Sequence, residues 1–269
     1  MNHNNTLSLS IMSGKGGVGK TNIVLNLGYA LHGMDITSML MDCDLGLANL
    51  DVLLGISPDR NLHDLLQTGV DAEDVLVPIE DGFDMLPATS GVPELVEMDE
   101  DLQDILFKKL INIAGKYDFL MLDLGAGISQ TVLSLAALTQ LRVVVVTPEP
   151  TSLTDSYAVI KVLATQHDVK DFLVLVNQAT SAKEANQTFD RLNAACMNFL
   201  NIELRNLGFV HQDRTLVESV RRQTPLLKFA PQATASKDIV SIAKKLIRYR
   251  EDNRERIGGR PILKDFPSE

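Results

Sequence analysis

Cysteine is scarce in this 269-residue chain, and Cys43 and Cys196 stand far apart without a C-x-x-C pair. That usage fits a reducing compartment and excludes a cysteine-built zinc or iron–sulfur site within one chain. His3, His32, His63, His167 and His211 show no ligand spacing, so no side-chain metal centre is expected from them. No apolar run reaches the ~18–20 residues of a membrane span. The polar start, Met1 to Thr6, lacks the apolar stretch of a signal peptide, and a cytoplasmic protein is expected. Cations are in deficit too: 25 Lys and Arg against 35 Asp and Glu give a formal charge of −10. Such a chain is a poor binder of nucleic acid without sequence preference, though a local basic patch remains open. Repeats, low-complexity segments and linker-like stretches are missing as well.

What is present is enough apolar residue, 45%, for one sizeable core. Residues 1–250 are expected to form a single domain. The stretch 251–269 holds Gly258, Gly259, Pro261 and Pro267 and reads as a polar, poorly ordered tail. Apolar runs suited to buried strands alternate with helical patterns. Strands are expected at 7–12, 36–41, 83–87, 119–122, 142–147, 172–176 and 207–210. Helices are expected at 23–31, 102–114, 131–138, 153–164, 183–200 and 235–250, with short ones near 62–66 and 72–76. This alternation predicts an α/β fold: a doubly wound, mostly parallel sheet with helices on both faces.

In such a sheet, ligands gather at the carboxyl ends of the strands. The first strand runs into Ser13-Gly14-Lys15-Gly16-Gly17-Val18-Gly19-Lys20-Thr21-Asn22, with G-x-x-x-x-G-K-[ST] spacing from Gly14 to Thr21. Glycines let successive N–H groups turn inward around phosphate oxygens, and the following helix N-terminus favours anions. Lys20 supplies a point charge to the terminal phosphates, and the Thr21 hydroxyl a ligand for Mg²⁺. Lys15 adds a second lysine, which most phosphate loops lack.

Asp123 follows the run Phe119–Leu122 and suits a Walker-B carboxylate that holds Mg²⁺, although an aspartate there also serves as a turn or cap residue. Gly125 and Gly127 give the next segment freedom to move, as in a switch loop. Asp42 and Asp44 leave the second strand as alternate residues, so extended geometry points both to one side. One then faces the metal and the other an attacking water; the competing reading is a solvated turn. Asn177 suits either the adenine edge or the capping of a loop. Asp213 stands where it would close the base or ribose side of the pocket.

Together these residues resemble the deviant Walker-A ATPases of the MinD/ParA group. Gly14 to Thr21 looks like that group's loop, with Lys15 as its signature lysine. The segment Asp42-Cys43-Asp44-Leu45-Gly46-Leu47-Ala48-Asn49-Leu50-Asp51 looks like its first switch, and Asp123-Leu124-Gly125-Ala126-Gly127-Ile128 like its second. Within the group, Thr147 to Lys161, Asp51 to Gly55 and Gly125 to Ser129 are most similar to flagellar-number regulators of the FlhG or FleN type. The resemblance implies a P-loop NTPase of the SIMIBI class that uses ATP and Mg²⁺. It implies a homodimer formed on ATP, in which Lys15 of each subunit reaches the other's phosphates in the manner of an arginine finger. Lys15, Lys20 and Asp44 then carry the reaction, with Asp44 orienting the water and Thr21, Asp42 and Asp123 organising the metal.

Hydrolysis returns the monomer, slowly unless a partner stimulates it. Implied partners are an SRP-type GTPase (FlhF), flagellar switch components or an enhancer-binding transcription activator. A positioning ATPase for cell division or DNA segregation is the alternative. The N-terminal GTPase-stimulating element of some relatives has no counterpart in Met1 to Thr6, which puts that activity in doubt. The last helix, with Ile239, Ile242, Ala243, Leu246 and Ile247 along one side, reads as core-packed more than as a membrane binder. Association with the membrane or cell pole is left unsupported.

Overall fold

The computed structural model describes residues 5–44, 50–66, 69–87 and 100–264. Eight strands form one sheet in the order β3-β4-β2-β5-β1-β6-β7-β8. Its centre is β1 (Leu7–Ser13), buried along its whole length and paired in parallel with β5 (Phe119–Ala126) and β6 (Leu141–Val146). Outward lie β2 (Ser38–Cys43) and β4 (Phe83–Leu86) on one flank, β7 (Phe172–Ala179) and β8 (Arg205–His211) on the other. Strands covered on both faces read as continuous apolar runs, which is why the sequence marks them.

Helices cover both faces, as expected. One face carries α1 (Lys20–His32), and the other carries α3 (Glu100–Ala114), α4 (Gln130–Leu138), α5 (Pro150–Gln166) and α6 (Ala182–Leu200). Two separate clusters of buried side chains result, one per face. The sheet also contains β3 (Val77–Glu80), antiparallel to β4, which the sequence reading lacked. Pro78 donates no ladder hydrogen bond, and β3 accordingly sits at the edge. Short helices α2 (Leu50–Leu54), α7 (Arg214–Arg221) and α8 (Leu226–Phe229) were likewise unforeseen.

Residues 251–264 correct the expectation of a poorly ordered tail over 251–269, of which 265–269 lie outside the described residues. Helix α9 (Thr234–Asp252) packs on α1 and β8, burying Ile239, Ile242, Ala243 and Leu246. Helix α10 (Arg254–Gly258) follows, and a strap up to Lys264 then crosses to the opposite face. Ile257, Ile262 and Leu263 are buried, Leu263 bridges Thr139, and Lys264 N–H donates to Leu138 O at 2.9 Å. Its apolar residues are too sparse to register as periodic. Polar partners fix it instead: Ser8 Oγ donates to Ile262 O, and Gln140 Nε2 to Pro261 O at 2.8 Å. Among the described residues, no helix is long and apolar enough to cross a membrane.

Candidate functional site: a phosphate loop and three strand-end carboxylates

The loop from Ser13 to Gly19 leaves β1 at its carboxyl end and enters α1 through Gly19. Gly17 and Gly19 adopt φ of 75° and 92°, the left-handed region where a Cβ is costly. Gly14 is required for a different reason. A Cβ there would lie 2.1 Å from the carbonyl carbon of Asp155, so loop and α5 touch backbone to backbone. Ser13 Oγ donates to Lys15 O at 2.7 Å and receives Lys20 Nζ at 3.0 Å, which folds the loop over its own lysine. Gly16 and Gly17 face solvent, while Lys20 is only 9% exposed. Asn22 lies in the first turn of α1, where its carbonyl accepts from Asn26 Nδ2 at 2.8 Å.

The strand-end aspartates converge on this loop. Register places Asp42 directly beside Asp123 on the neighbouring strand, and both are 2% exposed. Asp44 N–H donates to Asp42 Oδ1 at 3.1 Å, and a Cβ on Gly125 would lie 3.6 Å from Asp44 Oδ1. Burial lowers the Lys20 pKa, and Asp123 and Asp44 act against that shift. Burial likewise pushes the Asp123 carboxyl up to about 7; the Thr21 hydroxyl bonds to it and opposes the rise, and Asp42 adds to it. Asp123 Oδ1 has no hydrogen-bond partner although it is buried. An orphaned carboxylate oxygen between Asp42 and Thr21 fits a hard divalent cation that takes oxygen ligands, as Mg²⁺ does. Gly127, with φ of 95°, donates to Ser13 O at 2.9 Å and ties the start of the second switch to the loop. The first-switch residues 45–49 lie outside the described residues.

Three predicted residues have roles that the sequence left open or missed. Lys15 reaches α5 of its own chain, with Glu149 as ion-pair partner and Thr151 Oγ1 at 3.2 Å. Asn177, 1% exposed, donates from Nδ2 to Val18 O at 2.7 Å. Its Nδ2 also fills the space over Gly19, so it braces the loop, while its Oδ1 is buried without a hydrogen-bond partner. Asp213 caps two helices, accepting from Thr215 N at 2.8 Å and from Ala235 N at 3.2 Å. Ser13, Glu149 and Thr151 are functional contacts that sequence reasoning did not single out. The signal available for Glu149 was its place just beyond the carboxyl end of β6.

A family model described as cellulose biosynthesis protein BcsQ matches residues 6–247. Antiactivator FleN of Pseudomonas aeruginosa is 36% identical over 238 residues, covering 88% of this chain and 85% of FleN. The chain belongs to this MinD/ParA family of P-loop ATPases. The flagellum site-determining protein YlxH of Helicobacter pylori is 32% identical over 249 residues, covering 91% of this chain and 83% of YlxH. In the MinC:MinD cell division protein complex of Aquifex aeolicus, one chain superposes with a TM-score of 0.69 at 28% identity, covering 90% of this chain and 96% of that one. The MinD/ParA chain thus shares that family's mostly parallel eight-stranded sheet.

Proposed function

We propose that this protein is an ATP-dependent dimerising switch that hydrolyses ATP and regulates flagellar number or placement. One observation carries the reading most. Lys20 is buried under a glycine loop whose exposed turn leaves room for phosphates, with Asp44 and Asp123 close enough to act on its charge. That is the charge arrangement phosphoryl transfer needs, since positioning and electrostatics dominate the reaction.

The loop glycines and Asn22 line the triphosphate, and Lys20 neutralises its terminal groups. Thr21, Asp42 and Asp123 hold Mg²⁺, partly through water, and the ion offsets phosphate charge when bound. Asp44 stands at the edge of the cluster, where it orients the attacking water. Lys15 lies at the exposed rim and must leave Glu149 to reach a second subunit. Gly127, bonded to the loop through Ser13, passes a change at the phosphates to the second switch. Asn177 supports nucleotide binding from behind the loop, and Asp213 positions α7 and α9 at its side. Turnover is slow alone and raised by a partner. An SRP-type GTPase, flagellar switch components or an enhancer-binding activator fill that role, the last favoured by the name antiactivator given to FleN. The protein works in the cytoplasm, reaching the pole or membrane periphery through such a partner.

Light scattering with ATP and Mg²⁺ tests the switch. Asp44→Ala should trap a dimer, whereas Lys15→Ala should bind nucleotide and stay monomeric. A monomer from Asp44→Ala under saturating ATP would overturn the shared-site model. Flagellar counts in a deletion strain separate the flagellar role from one in division or DNA segregation.

A further inference from the structure

The opposite ends of β6, β7 and β8 carry a feature that nucleotide binding does not use. Register sets Arg142 beside Phe172 and Leu173 beside Arg205, so two arginines start their strands with Asp171 between them. Arg142 is only 4% exposed, lies 6.0 Å from the Phe172 ring centroid, and donates to Thr139 O at 2.7 Å. Its Nε is buried without an acceptor. Arg205 and Arg256 both lie against the ring of Tyr249, at 5.2 and 5.9 Å. They share one counter-charge: Asp171 Oδ1 meets Arg205 at 3.1 Å and its Oδ2 meets Arg256 at 3.8 Å. The carboxyl-terminal strap brings Arg260 and Lys264 to the same end, where Lys264 is anchored by its own N–H to Leu138 O.

Arg142, Arg205 and Arg256 therefore gather around Asp171, and Arg260 and Lys264 lie close enough to act on this group. Asp168 also acts here, on Lys264 ahead of Asp171, and it already pairs with Lys170 at 2.8 Å. Among the described residues, no carboxylate lies within ion-pair distance of Arg260 or Lys264. The cations act on one another. Burial brings Arg142 down to about 10, Asp171 partly offsets this, and Arg260 and Arg205 add to the lowering. Partial burial, followed by Arg142 and Arg260, lowers Lys264. In a chain with a net charge of −10, Asp171 and Asp168 offset these cations, and Asp168 is shared with Lys170. Like charges held together cost stability, and an anion placed among them removes that cost.

We propose that this end of the sheet is a second anion site, which takes a phosphate-bearing ligand on Arg256, Arg260 and Lys264. Those three side chains are exposed and supply the direct contacts. Arg142 stands buried behind them, Arg205 lies exposed beside Arg256, and both raise the local potential. Guanidinium groups suit phosphate because their N–H donors match paired oxygens. Phosphate groups of this kind belong either to a soluble polyphosphate or to a phospholipid headgroup.

The test removes the phosphate loop from consideration. Lys20→Ala protein is titrated calorimetrically with sodium tripolyphosphate, alongside the same protein carrying Arg260→Gln and Lys264→Gln. Both are also floated with vesicles of phosphatidylglycerol in phosphatidylcholine. Tripolyphosphate binding that weakens at least about tenfold in the triple variant supports a soluble ligand. Flotation that depends on the same two side chains supports a lipid headgroup. Absence of binding in both arms, or binding indifferent to the two substitutions, overturns the proposal.

Discussion

The two ends of the sheet carry opposite chemistry. At the carboxyl ends of β2 and β5, Asp42, Asp44 and Asp123 act around one buried lysine; at the amino ends of β6 and β8, Arg142 and Arg205 share one aspartate with Arg256. Both ends leave backbone groups and loops that the sheet interior does not, so both can carry polar side chains into a partly dry setting. They differ in how they are held. The carboxylate end depends on close backbone contact at the loop, where Gly14 meets α5. The arginine end depends on side chains and on the strap that crosses from α10 to α4.

That difference predicts separable failures. Gly14→Ala should do most damage to nucleotide binding, because the added Cβ meets immovable backbone at 2.1 Å. The loop must move off α5, so an affinity loss of roughly a hundredfold is expected together with a cost of about 1–3 kcal/mol in unfolding free energy. Fluorescent-nucleotide titration beside denaturation checks both, and unchanged nucleotide affinity would erase the distinction. Ile262→Ala strikes the other end. It empties a buried position under the strap and should cost about 2–5 kcal/mol in unfolding free energy while nucleotide affinity holds. Gly28→Ala lies on α1, the element that starts at the phosphate loop and runs toward the strand starts. A Cβ there would lie 2.1 Å from the Phe83 ring, and Phe83 is fully buried against that helix. The ring can shift where backbone cannot, so a cost of about 1–3 kcal/mol is expected, read from the same denaturation curves.

How much of this was legible before the structure follows from the range of each interaction. The central strands are buried on both faces, and their apolar runs are local facts of sequence. The edge strand β3 alternates Val77, Pro78, Ile79 and Glu80 and offers no such run. Helix α7 spans eight residues, most of them polar, and buries Ser219, so no apolar run marks it. The phosphate loop is legible because its function lies in consecutive backbone groups. Asp42 and Asp123 are legible because strand ends are. The partners of Lys15 are not, since Glu149 lies 134 positions away and meets it only through the packing of α5. Asn177 shows the same limit from the other side: its type allowed two roles, and its bond to Val18 O, 159 positions away, is not legible in the sequence.

The smallest expected effect concerns that lysine. Glu149 and Lys15 are both well exposed, at 58% and 38% of their side-chain surfaces, so water screens the pair. Exposed pairs contribute about 0–1 kcal/mol, and Glu149→Gln should leave the urea midpoint unchanged. Its consequence lies in dimerisation instead. Holding Lys15 against its own chain opposes the reach to a partner subunit, so freeing it should lower the protein concentration needed for the ATP dimer by up to about fivefold. Light scattering across a dilution series with ATP and Mg²⁺ measures that shift. A weaker dimer in Glu149→Gln would mean that Glu149 acts across the interface rather than as a rest for Lys15. The carboxyl end of the sheet would then be completed by contacts from both subunits, while the arginine end remains the property of one chain.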